Sequence, residues 1–176
     1  EDCIYVVGTT RDELGASEYY RMLARDQGTP GFYGGEVPKL DIPAALSIYS
    51  AMEQAHAAGI LRSSHTPTLG GLAAAFALAA IGGDLGADVQ MDVLDDSKEL
   101  DDDARLFSES NSRFLITCAP GDAKYLEDIF HQVPCVKVGT VSAEPKLRIL
   151  GSKGRAVVDT NITALRRAFK GTLYGI

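Results

Sequence analysis

The segment Leu106-Phe107-Ser108-Glu109-Ser110-Asn111-Ser112-Arg113 places serines, one carboxylate and one guanidinium directly ahead of the apolar run Phe114–Cys118. Loops at the entrance to a buried strand commonly present ligand-binding groups. Serine hydroxyls donate hydrogen bonds and a guanidinium offers a planar fork, a combination that suits phosphate oxygens. Glu109 opposes an anion unless a cation neutralises it, so pairing with Arg113 or Arg11 is expected. Ser108 and Ser110 would then face a cleft shared with the Gly15-Ala16-Ser17 turn. The same residues also suit a closed, salt-bridged entrance to the strand with no cleft.

A second candidate is Gly70-Gly71, which opens the most apolar stretch of the chain, Gly71–Ile81. A helix N-terminus carries free N–H groups and the positive end of the dipole, so it can hold an anion. Glycines there equally allow tight chain reversal and close helix packing. His65, six residues before Gly71, is either a ligand contact or a satisfied turn residue; His56 and His131, near helix ends, read as structural. The acidic run Asp95–Asp103 has enough carboxylates for magnesium, but a solvated loop favouring the start of a short helix explains it as well. There is no phosphate-binding GxxxxGK loop and no GxGxxG after the first strand, and neither a catalytic residue nor a metal-ligand set can be named.

The elements that must position these groups follow from patterning. Cys3–Val7 is β-branched and apolar and ends at Gly8, which reads as a buried strand. Ser17 caps a short helix that ends near Gly28, and residues 29–39 form a loop punctuated by Gly and Pro. Asp41 and Pro43 start a helix marked by Leu46, Tyr49, Met52 and His56 at helical spacing and stopped by Gly59. Ile60-Leu61 begins a brief extended piece, and Gly71 to Gly82-Gly83 is a buried helix. Val89, Met91 and Val93 alternate as a half-buried strand. Further strands are expected at Phe114–Cys118, Cys135–Val141, Leu147–Leu150 and Ala156–Val158. Helices are expected over Asp122–Gln132, with Leu126, Ile129 and Phe130 facing the core, and from an Asn161 cap through Phe169. Strands and helices interleave without a strict βαβ repeat, so the class is α+β with a mixed sheet covered by helices.

The chain has 176 residues, 45% hydrophobic and 23% charged, which is ordinary globular composition for a single domain spanning 1–176. A chain of this length buries roughly 70% of its unfolded surface and needs no staples. Its 17 basic and 24 acidic residues give a net charge of −7, the wrong sign for a nucleic-acid partner. Gly71–Ile81 is too short to cross a ~30 Å hydrocarbon core, so no membrane partner is expected. Cys3, Cys118 and Cys135 show neither disulfide nor zinc spacing and read as reduced thiols, consistent with a cytoplasmic location. The chain opens on Glu1-Asp2 without Met, which fits a piece of a longer polypeptide.

Val7-Gly8-Thr9-Thr10-Arg11-Asp12-Glu13-Leu14-Gly15-Ala16-Ser17-Glu18-Tyr19 resembles the VGxTxxELGGSEY opening of one domain in the phosphoribosylformylglycinamidine synthase family. Leu106–Arg113 resembles that family's LFSESxxR segment, and Ala168-Phe169-Lys170-Gly171 is similar to its WKG with Phe for Trp. The resemblance spans nearly the whole chain in the family's order. It implies the C-terminal domain of the large subunit, of the aminoimidazole-ribonucleotide-synthase C-terminal type. The implied fold is a three-layer α/β/α arrangement, partly ferredoxin-like. The implied activity of the intact enzyme is an ATP- and Mg²⁺-dependent ligation in purine synthesis. Ammonia from a glutaminase subunit or domain would convert formylglycinamide ribonucleotide to the amidine. The fragment itself would need no cofactor and would be inactive alone; its partners would be the remaining domains of the same enzyme. Arg11, Gly15, Ser17, His65, Gly70, Gly71, Ser108, Glu109, Ser110 and Arg113 are the ligand-binding candidates.

One departure from the family is informative. Where the family reads HDxSDGGLAVALAE, this chain has His65-Thr66-Pro67-Thr68-Leu69-Gly70-Gly71-Leu72-Ala73-Ala74-Ala75-Phe76-Ala77-Leu78. Thr66, Leu69 and Leu78 stand at the positions of the acids, and leucine neither binds a metal nor accepts a hydrogen bond. The large subunit of this family holds two copies of the module, so the loss fits the non-reacting half. Two other readings remain: a structural or interaction domain with a degenerate site, and another ATP-using enzyme of the superfamily, a cyclo-ligase or kinase-like relative. An apolar face left exposed, able to support a homodimer of the fragment, is also expected.

Overall fold

The computed structural model describes residues 1–29, 31, 34–94 and 100–174. β1 (Cys3–Val7) is buried at every position, as a strand covered on both faces must be. It is the third strand of a seven-stranded sheet whose other members are β2 (Leu61–His65), β3 (Gly86–Gln90), β4 (Phe114–Cys118), β5 (Cys135–Ser142), β6 (Lys146–Leu150) and β7 (Ala156–Asn161). The order is β2-β4-β1-β5-β3-β6-β7, antiparallel throughout except for the parallel β3–β6 pair. The sheet is therefore mixed, and the α+β expectation holds.

Among the described residues six α-helices accompany it: α1 (Glu18–Asp26), α2 (Ile42–Ala57), α3 (Gly71–Gly83), α4 (Asp102–Phe107), α5 (Ala123–Ile129) and α6 (Ile162–Tyr174). One core lies under α3 and α6, where Leu72, Phe76 and Ile162 meet Ile4, Val6, Val89, Leu147 and Ile149. The second lies under α2 and α5, where Ile48, Ala51, Ala55, Leu126 and Phe130 meet Tyr5, Val7, Ile116 and Cys118. The layers are thus α/β/α over the β2-β4-β1 half. On the α2/α5 side of the other half, Asp88, Gln90, Lys137 and Arg148 are exposed around a hollow of about 490 Å³.

Local chemistry accounts for the boundaries. Ser17 Oγ accepts from the Tyr20 amide at 3.2 Å, Asp41 Oδ1 from Ala44 at 3.0 Å, and Asn161 Oδ1 from Ala164 at 2.7 Å, so all three expected caps form. The row that marks α2 in the sequence is not its buried face. Ala45, Ile48, Ala51 and Ala55 pack inward, while Leu46 is 62% and Ile42 60% exposed. Small alanines let the helix lie close to the sheet, leaving an apolar outer stripe. The strand expected at Val89–Val93 is shifted: β3 ends at Gln90, and the chain turns at Met91, whose amide bonds Leu150 O at 2.8 Å. Met91 keeps its inward face in the core, whereas Val93 leaves it. The brief extended piece after Ile60 runs on to His65 as β2, because it pairs with β4 although only Leu61 in it is aliphatic.

Candidate functional site

In the β1–β4 pair Val7 lies opposite Phe114. Antiparallel pairing therefore brings the loop after β1 and the loop before β4 to the same end of the sheet. Gly8, at φ +89°, makes the close approach feasible, since a Cβ there would stand 2.5 Å from Ser112 O. Loops 8–17 and 108–113 are joined by a dense set of bonds. Ser108 Oγ donates to Arg11 O at 2.6 Å and accepts from the Glu13 amide at 3.3 Å, and Ser110 Oγ accepts from the Arg11 amide at 3.1 Å.

Arg113 closes the cluster. Its side chain is buried, donating from Nε to Ser110 O at 3.1 Å, from Nη1 to Thr10 Oγ1 at 3.0 Å, and from Nη2 to Ser108 O. Burial pushes the guanidinium down to about 10, with the nearby charges of Glu13 and Glu109 acting in the opposite direction. It stays charged at neutral pH and is held by backbone oxygens and a hydroxyl of its own chain.

Glu109 departs from the expected ion pair with Arg113 or Arg11. Its Oε1 accepts from the Gly70 amide at 2.9 Å and the Glu18 amide at 3.1 Å. Glu18 is the first residue of α1, and Gly70 is the N-cap of α3. The carboxylate thus sits where two helix N-termini converge, at the positive ends of both dipoles. The Gly70 amide, at the helix end named as a candidate anion site, is thus bonded by the chain's own side chain. Gly71, at φ +61°, stands against the same loop, where a Cβ would lie 2.6 Å from Ser108 O.

The remaining candidates are also internal or peripheral. Ser17 Oγ caps α1 and donates to Leu14 O at 2.7 Å, and the Gly15 amide bonds Glu36 O at 2.7 Å. Neither serine of the 108–110 turn opens on a cleft shared with Gly15–Ser17. Arg11 is exposed beside Lys39, Asp41, Asn111 and Ser112 around a hollow of about 20 Å³, room for a water and little more. His65 lies elsewhere, on β2 opposite Leu115. Leu69 is 67% exposed and Thr66 is exposed, so two positions at which the resemblance expects acids face solvent.

Patterning alone did not point to Glu13. It is buried, with Oε1 accepting from the Lys39 amide at 3.0 Å and Oε2 without a hydrogen-bond partner. A carboxylate among the buried Leu14 and Gly15 was the available signal. The acidic run also divides. Asp95–Glu99 lies outside the described residues, Asp101 caps α4 through the Ala104 amide at 2.7 Å, and Asp103 accepts from Tyr19 Oη at 2.6 Å while the Tyr19 ring stacks on Phe107.

Asp102 is not a solvated loop residue. Its Oδ1 accepts from the Ser152 amide at 2.7 Å and the Ser152 hydroxyl at 2.8 Å. Burial raises this carboxyl, but those bonds, with Arg105 and Arg155, outweigh it and hold the group below the usual carboxylate value. Its stabilisation is fully present above an unfolded value of about 3.9 and is lost as pH falls through the lower folded one. Asp102→Ala should cost about 1–2 kcal/mol at pH 7. Urea melts should show that cost shrinking towards pH 2; a constant difference across that range would remove the charge from the explanation.

Residues 1–152 match the family model described as AIR synthase related protein, C-terminal domain. The chain belongs to this family. Its fold is shared with PurL of Thermotoga maritima complexed with FGAR, at a TM-score of 0.75 and 20% identity over 93% of this chain and 27% of that one. PurL of the same organism complexed with ATP matches at 0.68 and 20% identity, over 93% of this chain and 25% of that one. The hydrogenase maturation protein HypE in complex with ATP matches at 0.57 and 14%, over 91% of this chain and 51% of that one. The chain spans about a quarter of the length of the PurL chains it matches.

The loop cluster here does not fit a nucleotide phosphate or magnesium. Glu109 occupies two of the helix-terminal amides, Arg113 is committed to its own chain, and leucines stand at two positions where the resemblance expects acids. Among the described residues no group of three His, Cys, Asp or Glu side chains is placed to hold a metal ion, and no helix is long and apolar enough to cross a membrane.

Proposed function

We propose that this chain is one domain, 1–176, of a longer cytoplasmic enzyme that makes formylglycinamidine ribonucleotide from formylglycinamide ribonucleotide, ATP and glutamine-derived ammonia. In this reading it belongs to the non-reacting half and supports the reaction by packing against the other domains, while the nucleotide and Mg²⁺ are held elsewhere in the intact protein. The observation that carries it is the loss of acids: Thr66, Leu69 and Leu78 stand where the resemblance expects carboxylates, and the neighbouring Gly70 amide is bonded by the chain's own Glu109. The outer stripe of α2, Ile42, Leu46 and Tyr49, supports a neighbouring domain of the same polypeptide as its cover. A glutaminase subunit or domain would be the more distant partner.

The test uses the purified chain. ATP with Mg²⁺ should leave its melting temperature unchanged, and formylglycinamide ribonucleotide with ammonia and ATP should not turn over. A live nucleotide site at about 100 times its Kd would add about 2.7 kcal/mol, an upward shift of several degrees for a domain of this size. Such a shift would overturn the non-reacting assignment. A purely structural role is the second reading. It is favoured by the saturation of Arg113, and it predicts the same null result together with unchanged kcat in an intact enzyme carrying Arg11→Ala.

A further inference from the structure

A groove of about 440 Å³ runs between α3 and the β2 margin of the sheet, sharing no residue with the loop cluster. Its floor is set by register. His65 lies opposite Leu115 and Ser63 opposite Thr117, and Leu115 belongs to the core under α3, so these side chains share the α3 face. Ser63 Oγ and Thr117 Oγ1 are 2.7 Å apart. The wall is the flank of α3, where Phe76, Ala79, Ala80 and Gly83 face the strands. The gap follows from side-chain size: alanine and glycine on the helix stand over serine and threonine on the sheet, and neither side fills the space.

The chemistry of the two surfaces differs. The helix wall is apolar. The floor offers two hydroxyls and an imidazole, each able both to donate and to accept, and no carboxylate or cation. Charge enters only where β2 and β1 begin, as Arg62 and Asp2, and these are of opposite sign. The volume lies within the ~300–1,000 Å³ range of small-molecule pockets, which combine mostly apolar lining with a few polar groups. We propose that this groove binds a small, uncharged, planar heteroaromatic molecule. One ring face would lie on Phe76, Ala79 and Ala80, and the ring N–H would donate to the Ser63–Thr117 pair or to His65. A slot between a helix and a sheet suits a flat ring, and the neutral floor disfavours an ion that would have to shed water without a counter-charge.

Indole is the probe, with benzoate and benzylamine as charged counterparts, followed by amide chemical shifts of the isotope-labelled chain. Indole should shift Ser63, His65, Thr117 and Ala79 saturably, and both charged rings should bind at least tenfold more weakly. Ala79→Trp fills the groove from an exposed position and should abolish the shifts without lowering the melting temperature. Thr117→Val, which keeps the shape and removes a hydroxyl, should weaken indole several-fold if the tryptophan variant does not fold. Leu46→Glu, on the α2 side of the sheet, should leave binding intact. The proposal is overturned by absence of saturable shifts, by shifts that survive Ala79→Trp or vanish with Leu46→Glu, or by a charged ring binding as well as indole.

Discussion

Arg113→Ala is expected to be the most damaging single substitution in the loop cluster, costing about 3–5 kcal/mol, the range for removing one partner from a buried charged network. Arg113 is 1% exposed, and its guanidinium satisfies Ser108 O, Ser110 O and Thr10 Oγ1, tying the two loops together from inside. Truncation orphans those acceptors at about 1–3 kcal/mol each where water cannot reach them, and removes a cation that interacts with Glu13 and Glu109. Relief of the buried charge returns part of that cost. For a domain of this size the net loss corresponds to a melting temperature lower by roughly 10 °C. Arg113→Lys should recover little, because an ammonium cannot reach three divergent acceptors with a planar fork. In an intact enzyme the variant should keep its nucleotide affinity at temperatures where it is folded. Weakened nucleotide binding at unchanged stability would make Arg113 a ligand residue after all.

What could be read from the chain, and what could not, divides along physical lines. β1, α3 and the caps of α1, α2 and α6 are encoded by neighbours in sequence: a run of β-branched residues, an apolar block between glycines, and a hydroxyl, carboxylate or carboxamide before a helix. β2 is written Leu-Arg-Ser-Ser-His and has no alternation to announce it; it exists because β4 supplies a partner edge. The α2 face was obscured because its contacts are made by alanines, whose apolar signal is weaker than that of the leucine and tyrosine pointing outward.

The site shows the same division more sharply. Residue types in Ser108–Arg113 correctly indicated a cluster of hydroxyls around an arginine. They could not reveal that the acceptors of Arg113 are mostly main-chain carbonyls, since every residue carries one. Nor could they show that Glu109 bonds the amides of residues 18 and 70, which lie 91 and 39 positions away. A carboxylate near an arginine reads as an ion pair in sequence. In the fold, two helix N-termini compete for it and are placed to bond it directly.

That competition gives the second large expected effect. Glu109→Ala should destabilise the protein by about 2 kcal/mol, less than two fully buried charged hydrogen bonds because the side chain is only half-buried. Glu109→Gln retains an oxygen acceptor but no net charge, so its cost should be about half, isolating the dipole contribution. Glu109→Lys should be worst of the three, placing a cation against the positive ends of α1 and α3. The alanine variant vacates a position lined by the Gly70 and Glu18 amides, and a free anion should enter it. At about 0.1 M, sulfate stabilises most proteins by exclusion from their surface, an effect common to variant and parent. Chloride at matched ionic strength controls for screening. The expected result is that sulfate raises the melting temperature of Glu109→Ala by several degrees more than that of the parent chain, with no such excess for Glu109→Gln. Equal sulfate responses in all variants would show that the carboxylate is only a tether between loops. An excess confined to Glu109→Ala would mean that the fold still carries an anion site, which this chain keeps closed with one side chain.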